Sequence, residues 1–307
     1  MSFPAASIDL GTNTARLLIG SVEAGRIEHL LVKRHITRLG GGFTKERGIS
    51  PEAWSRSLAA LVDFADEMNR AGVVRVRAVA TSAVRDAVNG GDFCADVAER
   101  TGISLEVIDG EEEALLTLAG VLSGLDRKEG RFFVFDVGGG STEYTLASGN
   151  APLYTESLPL GVVRLTEGKS DLPAMEEKVG RELAGLRERL AGRALDGQLA
   201  GATLVGTAGT ATTLAAISLG MTDYDYRRVN NHLLSRDEIA RILALLLPLS
   251  PAERLAVPGL EKGREDLIVA GTLITLATMD LFGFESMTVS DFGLLEGALI
   301  GLARTDE

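Results

Sequence analysis

Two stretches of this chain are built alike: Ile8–Ile19 reads IDLGTNTARLLI, and Phe135–Leu146 reads FDVGGGSTEYTL. Each runs from an apolar strand ending in Asp, through a glycine-containing turn with small hydroxyl or amide residues, into a second strand-like run. Aligned, they place Asp9 on Asp136, Gly11 on Gly138, Thr14 on Ser141 and Arg16 on Glu143. One glycine hairpin is an ordinary feature of β structure. Two of them, each following an Asp at the end of a buried strand, predict a duplicated architecture. Glycine lets backbone N–H groups come within reach of phosphate oxygens, and successive N–H groups in a tight turn form an anion nest. Thr12, Asn13, Gly139, Gly140 and Ser141 are therefore the expected phosphate cradle. An Asp at the strand end repels an anion directly, so its expected role is to hold a cation or a metal-bound water that bridges to the phosphate.

The 307 residues suffice for two domains. Ala5–Leu10 and Ala15–Val22 read as strands around the first turn. A helix follows Ser50, which can cap it, with Pro51 at its first position and Ile49 spaced to staple Trp54. Trp54, Leu58, Leu61, Val62 and Met68 recur at helical spacing and are expected in the core. VRVRAVAT and ISLEVIDG read as further strands, and EEEALLTLAGVLSGL as a helix. The second half repeats this order: strand, turn, strand, an amphipathic helix, and ATLVGTAGTATTLAA as a strand entering a Gly/Thr turn and a helix. Apolar helices near Ile239–Leu247 and Leu267–Leu281, a strand at Ser286–Val289 and a helix near Leu294–Leu302 complete the pattern. Glycine and charge in SGLDRKEG place the boundary between lobes 1–124 and 125–307, with the last helix a candidate to pack back on the first lobe.

Composition narrows the function. Hydrophobic residues make up 45% and charged residues 24%, the balance of a folded protein. The formal charge of −12, with no Lys/Arg-rich run, argues against nucleic acid as a partner. An acidic chain can still bind an anion through main-chain N–H groups, a divalent metal and a few placed basic residues. No apolar run is long enough for a membrane span, and the opening residues lack a secretory pattern, so a cytoplasmic location is expected. Cys94, the single cysteine, excludes an intrachain disulfide and a cysteine-based metal site.

The duplicated Asp-bearing hairpins resemble the superfamily of actin, sugar kinases and heat-shock-chaperone ATPases, and Val205–Ala216 looks like its third signature. That resemblance implies an α/β fold of two similar lobes of ribonuclease H-like topology, a mixed sheet flanked by helices in each, around a central cleft. AVATSAVRDAVNG, VIDGEEEALLTLAGV, FDVGGGSTEY and VSDFGLLEGAL, in this order, resemble the exopolyphosphatase and guanosine-pentaphosphate phosphohydrolase family in its short two-lobe form. The resemblance implies a phosphoanhydride hydrolase with Mg²⁺ or another divalent cation as cofactor. The substrate would be inorganic polyphosphate, or alternatively guanosine pentaphosphate. Glu113 matches the family's catalytic glutamate, and the positive end of its helix favours an ionised carboxylate that orients water and accepts a proton. Arg85 would lie against the terminal phosphoryl group. Asp136 and Glu143 match the magnesium-site carboxylates, with Asp9 opposite them. Gly209 and Thr210 are weaker candidates for the phosphate cradle. Arg38 is a candidate for phosphates further along a chain, as are Lys45 and Arg47, for which solvated loop charge is the simpler reading.

In GLLEG, Leu295 stands where the family commonly has Arg; if that Arg binds substrate or ties the last helix down, its loss leaves substrate preference open. EGKS at Glu167–Ser170 fails as a P-loop because Val163 occupies the required glycine position. SDFG lacks the companion kinase motifs, and His29, His35 and His232 show no metal-ligand spacing. A kinase of the same fold and a non-catalytic phosphate sensor stay open as other classes. A homodimer is plausible, but no residue compels it.

Overall fold

The computed structural model describes residues 4–23, 26–44, 46–169 and 171–304; Lys45 lies outside them. The first repeat folds as a meander. Ala5–Leu10 (β1) pairs antiparallel with Thr14–Glu23 (β2), which pairs antiparallel with Arg26–Ile36 (β3). The chain then crosses through the helix Pro51–Arg70 to Arg75–Ala80 (β4), parallel to β1. The helices Ser82–Arg85 and Gly90–Thr101 lead to Leu105–Val107 (β5), parallel to β4. The strand order is β3-β2-β1-β4-β5.

The second repeat uses the same plan. Arg131–Val137 (β6), Thr142–Ser148 (β7) and Ala151–Leu158 (β8) form its meander. Thr203–Thr207 (β9) returns parallel to β6 and feeds the helix Ala208–Ser218. Leu233–Ser235 (β10) pairs antiparallel with Ser286–Val289 (β11), itself parallel to β9. The order is β10-β11-β9-β6-β7-β8. Without the extra edge strand β10 it is the first sheet again, the ribonuclease H-like topology.

Local chemistry explains the elements. Ser50 Oγ accepts the Ala53 N–H at 3.3 Å and caps the helix Pro51–Arg70. Its buried face runs through Ala53, Ser57, Leu58, Leu61, Phe64 and Met68. Val62, expected in the core, is 40% exposed: one residue beyond Leu61 turns it about 100° off that stripe. Strands β3, β8 and β10 carry little sequence signal. They are edge strands, whose charged and solvent-facing residues blur the apolar pattern.

The chain divides into two compact units, one of Met1–Ser123 with Gly293–Glu307 and the other of Gly124–Phe292. The last helix, Leu294–Arg304, the candidate to pack back on the first lobe, belongs to the first unit, and the second ends at Phe292. Leu295 and Leu299 pack on Leu18 of β2, and Ser7 Oγ donates to the Leu295 carbonyl at 2.7 Å. The helices Gly110–Gly124 and Leu294–Arg304 meet backbone to backbone. A Cβ at Gly297 would lie 1.9 Å from the Leu116 carbonyl oxygen, and one at Gly120 would lie 1.8 Å from that of Gly293.

Gly297→Ala should therefore cost about 1–3 kcal/mol in denaturant unfolding, because the obstacle is backbone that no rotamer change can move. A wild-type unfolding curve would show that these helices do not pack this closely. Ala208, which opens its helix at φ +60°, bears the opposite strain. Ala208→Gly should raise thermal stability, by up to about 1 kcal/mol after allowing for the entropy glycine loses.

Candidate active site

In the first unit the turn between β1 and β2 is closed by the Gly11 N–H donating to the Thr14 carbonyl at 3.0 Å. In the second, the Gly138 N–H donates to the Ser141 carbonyl, also at 3.0 Å. The segment after the third strand of each meander crosses back over its turn. The N–H groups of Thr37 and Arg38 donate to the Asn13 carbonyl at 3.0 and 2.9 Å, and that of Gly40 donates to the Thr12 carbonyl at 2.8 Å. Likewise the Val162 N–H donates to the Gly138 carbonyl at 3.0 Å, and those of Val163 and Arg164 donate to the Gly139 carbonyl at 2.9 and 3.2 Å. Glycine is required in both crossing segments. A Cβ would stand 2.3 Å from Thr12 Cγ2 at Gly40, and 2.3 Å from the Gly139 oxygen at Gly161.

These bonds turn the carbonyls of both turns into the protein. Among the described residues, the N–H groups of Thr12, Asn13, Gly139, Gly140 and Ser141 have no protein acceptor. Asn13 is buried, and its Oδ1 has no hydrogen-bond partner. Thr12 and Ser82 share a buried hydroxyl pair at 3.0 Å, which ties the first turn to the helix Ser82–Arg85. Two preformed sets of main-chain donors result, the arrangement that suits phosphate oxygens.

Arg85 and Glu113 come together in the first unit. Glu113 sits in the first turn of the helix Gly110–Gly124 and is only 7% exposed. Arg85 Nη1 lies 3.7 Å from its Oε2 and donates to the Ile108 carbonyl at 2.7 Å. Asp86, the other candidate partner of Arg85, is at 3.9 Å. The hydrogen bond to Ile108 uses one of the five N–H donors of the Arg85 fork.

The two sheets differ in one row of side chains. Register places Val79, Asp9, Arg16 and Arg34 side by side across the first sheet. Arg16 grips Asp9 Oδ2 from Nε at 3.1 Å and from Nη2 at 2.8 Å. The equivalent row in the second sheet is Thr207, Asp136, Glu143 and Ser157. There, two carboxylates 8% and 2% exposed stand next to each other with no basic residue in the row. Ser157 Oγ donates to Glu143 Oε1 at 2.7 Å. Tyr144, the next residue, is fully buried and bonded to Thr278 Oγ1 at 2.7 Å, and burial pushes its hydroxyl pKa far above the usual phenol range. It anchors β7 beneath the acids. Among the described residues no three His, Cys, Asp or Glu side chains gather as a metal cage. Of the expected trio, Asp136 and Glu143 share this row of the second unit, and Asp9 of the first unit is paired with Arg16.

Other candidates divide. Gly209 opens the helix Ala208–Ser218, and a Cβ there would lie 1.5 Å from Arg264 Nη1. Arg264, which the sequence pattern does not single out, thus lies flat on this helix start, with Nε donating to Glu261 at 3.0 Å. Only its GRED context hints at it, far from Gly209 in sequence. Thr210 turns its hydroxyl onto Gly271, where it serves helix packing. Arg38 holds φ +47°, an uncommon conformation for a residue with a side chain. Arg47 is an exposed turn residue. Leu295, 1% exposed, is a core residue of the first unit. No described helix is long and apolar enough to cross a membrane.

Comparison with known proteins agrees with these features. The model of the Ppx/GppA phosphatase family matches residues 18–306. Exopolyphosphatase 2 of Mycobacterium tuberculosis is 37% identical over 316 aligned residues, covering 97% of this chain and 98% of that protein. The crystal structure of the Aquifex aeolicus family member is 31% identical with a TM-score of 0.80, covering 100% of this chain and 99% of that one. An exopolyphosphatase from Cytophaga hutchinsonii is 28% identical with a TM-score of 0.88 and covers 98% of each chain. The likeness runs through both units and the whole two-domain actin-like fold, and the chain belongs to the Ppx/GppA phosphatase family of phosphoanhydride hydrolases.

Proposed function

We propose that this chain is an exopolyphosphatase, removing the terminal phosphate of inorganic polyphosphate with the help of a divalent cation, Mg²⁺ by preference. The observation that carries the reading is the pair of glycine turns whose carbonyls are tied back and whose N–H groups have no protein acceptor. They suit a substrate made of repeated phosphoryl units and carrying no other recognition group. Similarity to the mycobacterial exopolyphosphatase over nearly the full length of both chains supports the same substrate.

Water is the nucleophile. Its oxygen bonds to the terminal phosphorus while the bond to the bridging oxygen breaks, and that electron pair stays with the shortened chain as orthophosphate leaves. Glu113 aims the water and accepts its proton. The transition state of phosphoryl transfer is loose, so positioning and charge neutralisation do most of the work. Arg85, steadied by the Ile108 carbonyl and by Glu113, supplies positive charge to the terminal phosphoryl oxygens.

Asp136 and Glu143 would hold the cation. They are adjacent, buried, hard oxygen donors with no basic residue in their row, and Mg²⁺ accepts one or two carboxylates while keeping several waters. When bound, it offsets phosphate charge and polarises the phosphoryl oxygens. Asp9 stays with Arg16, which leaves the first turn electrically suited to an anion.

Phosphate release from inorganic polyphosphate, set beside release from guanosine pentaphosphate, tests the substrate. Polyphosphate should show the higher kcat/KM, and the reverse order would transfer the assignment to the nucleotide. Glu113→Gln should lower kcat by about 10²-fold or more while polyphosphate still binds; undiminished turnover would remove Glu113 from the mechanism. Arg38→Gly should raise KM several-fold without lowering the melting temperature, since glycine suits φ +47°. An unchanged KM would show that this guanidinium does not meet the chain.

A further inference from the structure

If Asp136 and Glu143 hold the cation, a third residue of their row has a function. We infer that Ser157 is a positioning residue for that cation, acting through its hydrogen bond to Glu143. The register of β7 and β8 sets Glu143 opposite Ser157, and Ser157 Oγ donates to Glu143 Oε1 at 2.7 Å. The hydroxyl is placed by strand pairing on a well-anchored ribbon. Thr142 pairs with the buried Leu158 one position along, and Thr142 Oγ1 donates to the Leu160 carbonyl.

The first sheet shows why a hydroxyl suits this position. There the residue opposite Arg16 is Arg34, and Arg16 itself neutralises Asp9. A cationic side chain beside Glu143 would cancel the charge a metal needs, as Arg16 does for Asp9. A neutral donor occupies one lone pair of Glu143 and restrains its side chain while leaving the full negative charge in place. Partners of metal-ligating carboxylates act in this way, and losing one typically weakens metal binding by about 10–100-fold.

Mn²⁺ uptake followed by electron paramagnetic resonance, on the substrate-free protein, reads this directly. Ser157→Thr and Ser157→Val are the decisive pair, because both are β-branched, of similar bulk and favourable in a strand, and differ by the hydroxyl. Wild-type protein and Ser157→Thr should bind Mn²⁺ alike, and Ser157→Val should bind about 10-fold more weakly or worse. At saturating metal the KM for polyphosphate should be the same in all three. Equal Mn²⁺ affinity in the Thr and Val variants would overturn the inference. Glu143→Ala separates this from the wider reading. If it loses Mn²⁺ while Ser157→Val does not, only the role of Ser157 falls. If it binds Mn²⁺ as the wild type does, the cation site itself is misplaced and the role of Ser157 falls with it.

Discussion

A glycine turn can receive a phosphate only if its N–H groups are kept from protein acceptors and its carbonyl oxygens are kept away from the anion. A free hairpin does neither, since its carbonyls and amides are equally exposed and the loop moves. Here both turns are stitched from behind. Thr37, Arg38 and Gly40 take up the carbonyls of Thr12 and Asn13, and Val162, Val163 and Arg164 take up those of Gly138 and Gly139. The cost of ordering the loop is met on folding, so the donors are aligned in advance of any ligand. That construction also explains glycines outside the turns: Gly161 lies directly on the backbone of Gly139 and Gly140, and Gly40 lies against the Thr12 methyl group.

On this shared frame one equivalent row of side chains is charged differently in the two units. Asp9 and Asp136 occupy equivalent places, but their cross-strand neighbours are Arg16 and Glu143. One row pairs its acid with Arg16, and the other sets two acids side by side in a buried setting, where charge is costly. Under the proposed function, a chain of net charge −12 would handle a polyanion through a few local fields, set by backbone dipoles, Arg85 and a metal, that overcome the global repulsion.

Leu295 stands at a position where a basic residue is common in the family, one that would bind substrate or tie the last helix down. In this chain its side chain is buried with Leu18 and Leu299 beneath the first sheet, where it helps fasten the helix Leu294–Arg304. Glu296, beside it, accepts the Gly293 N–H at 2.7 Å and steadies the start of the same helix. Both residues act in packing at this point.

Much of the fold and part of the site were legible in the residues alone. The paired turns, the Ser50 cap, the Gly/Thr helix start and the match around Arg85 and Glu113 are local patterns, and local geometry follows from φ/ψ preferences and hydrogen-bonding capacity within a few residues. Edge strands β3 and β8 and the exposure of Val62 were not legible, because each depends on what packs against it. The same limit applied to the site. Sequence identified Asp9 and Asp136 as equivalent acids, yet only the register of the folded sheets decided that one faces Arg16 and the other Glu143. Arg264 against Gly209 and Ser157 against Glu143 are likewise meetings of distant segments. A chain determines which groups it carries and how they bend locally; the identity of each neighbour across a strand or helix is settled only when long-range pairing closes, and charge compensation follows that pairing.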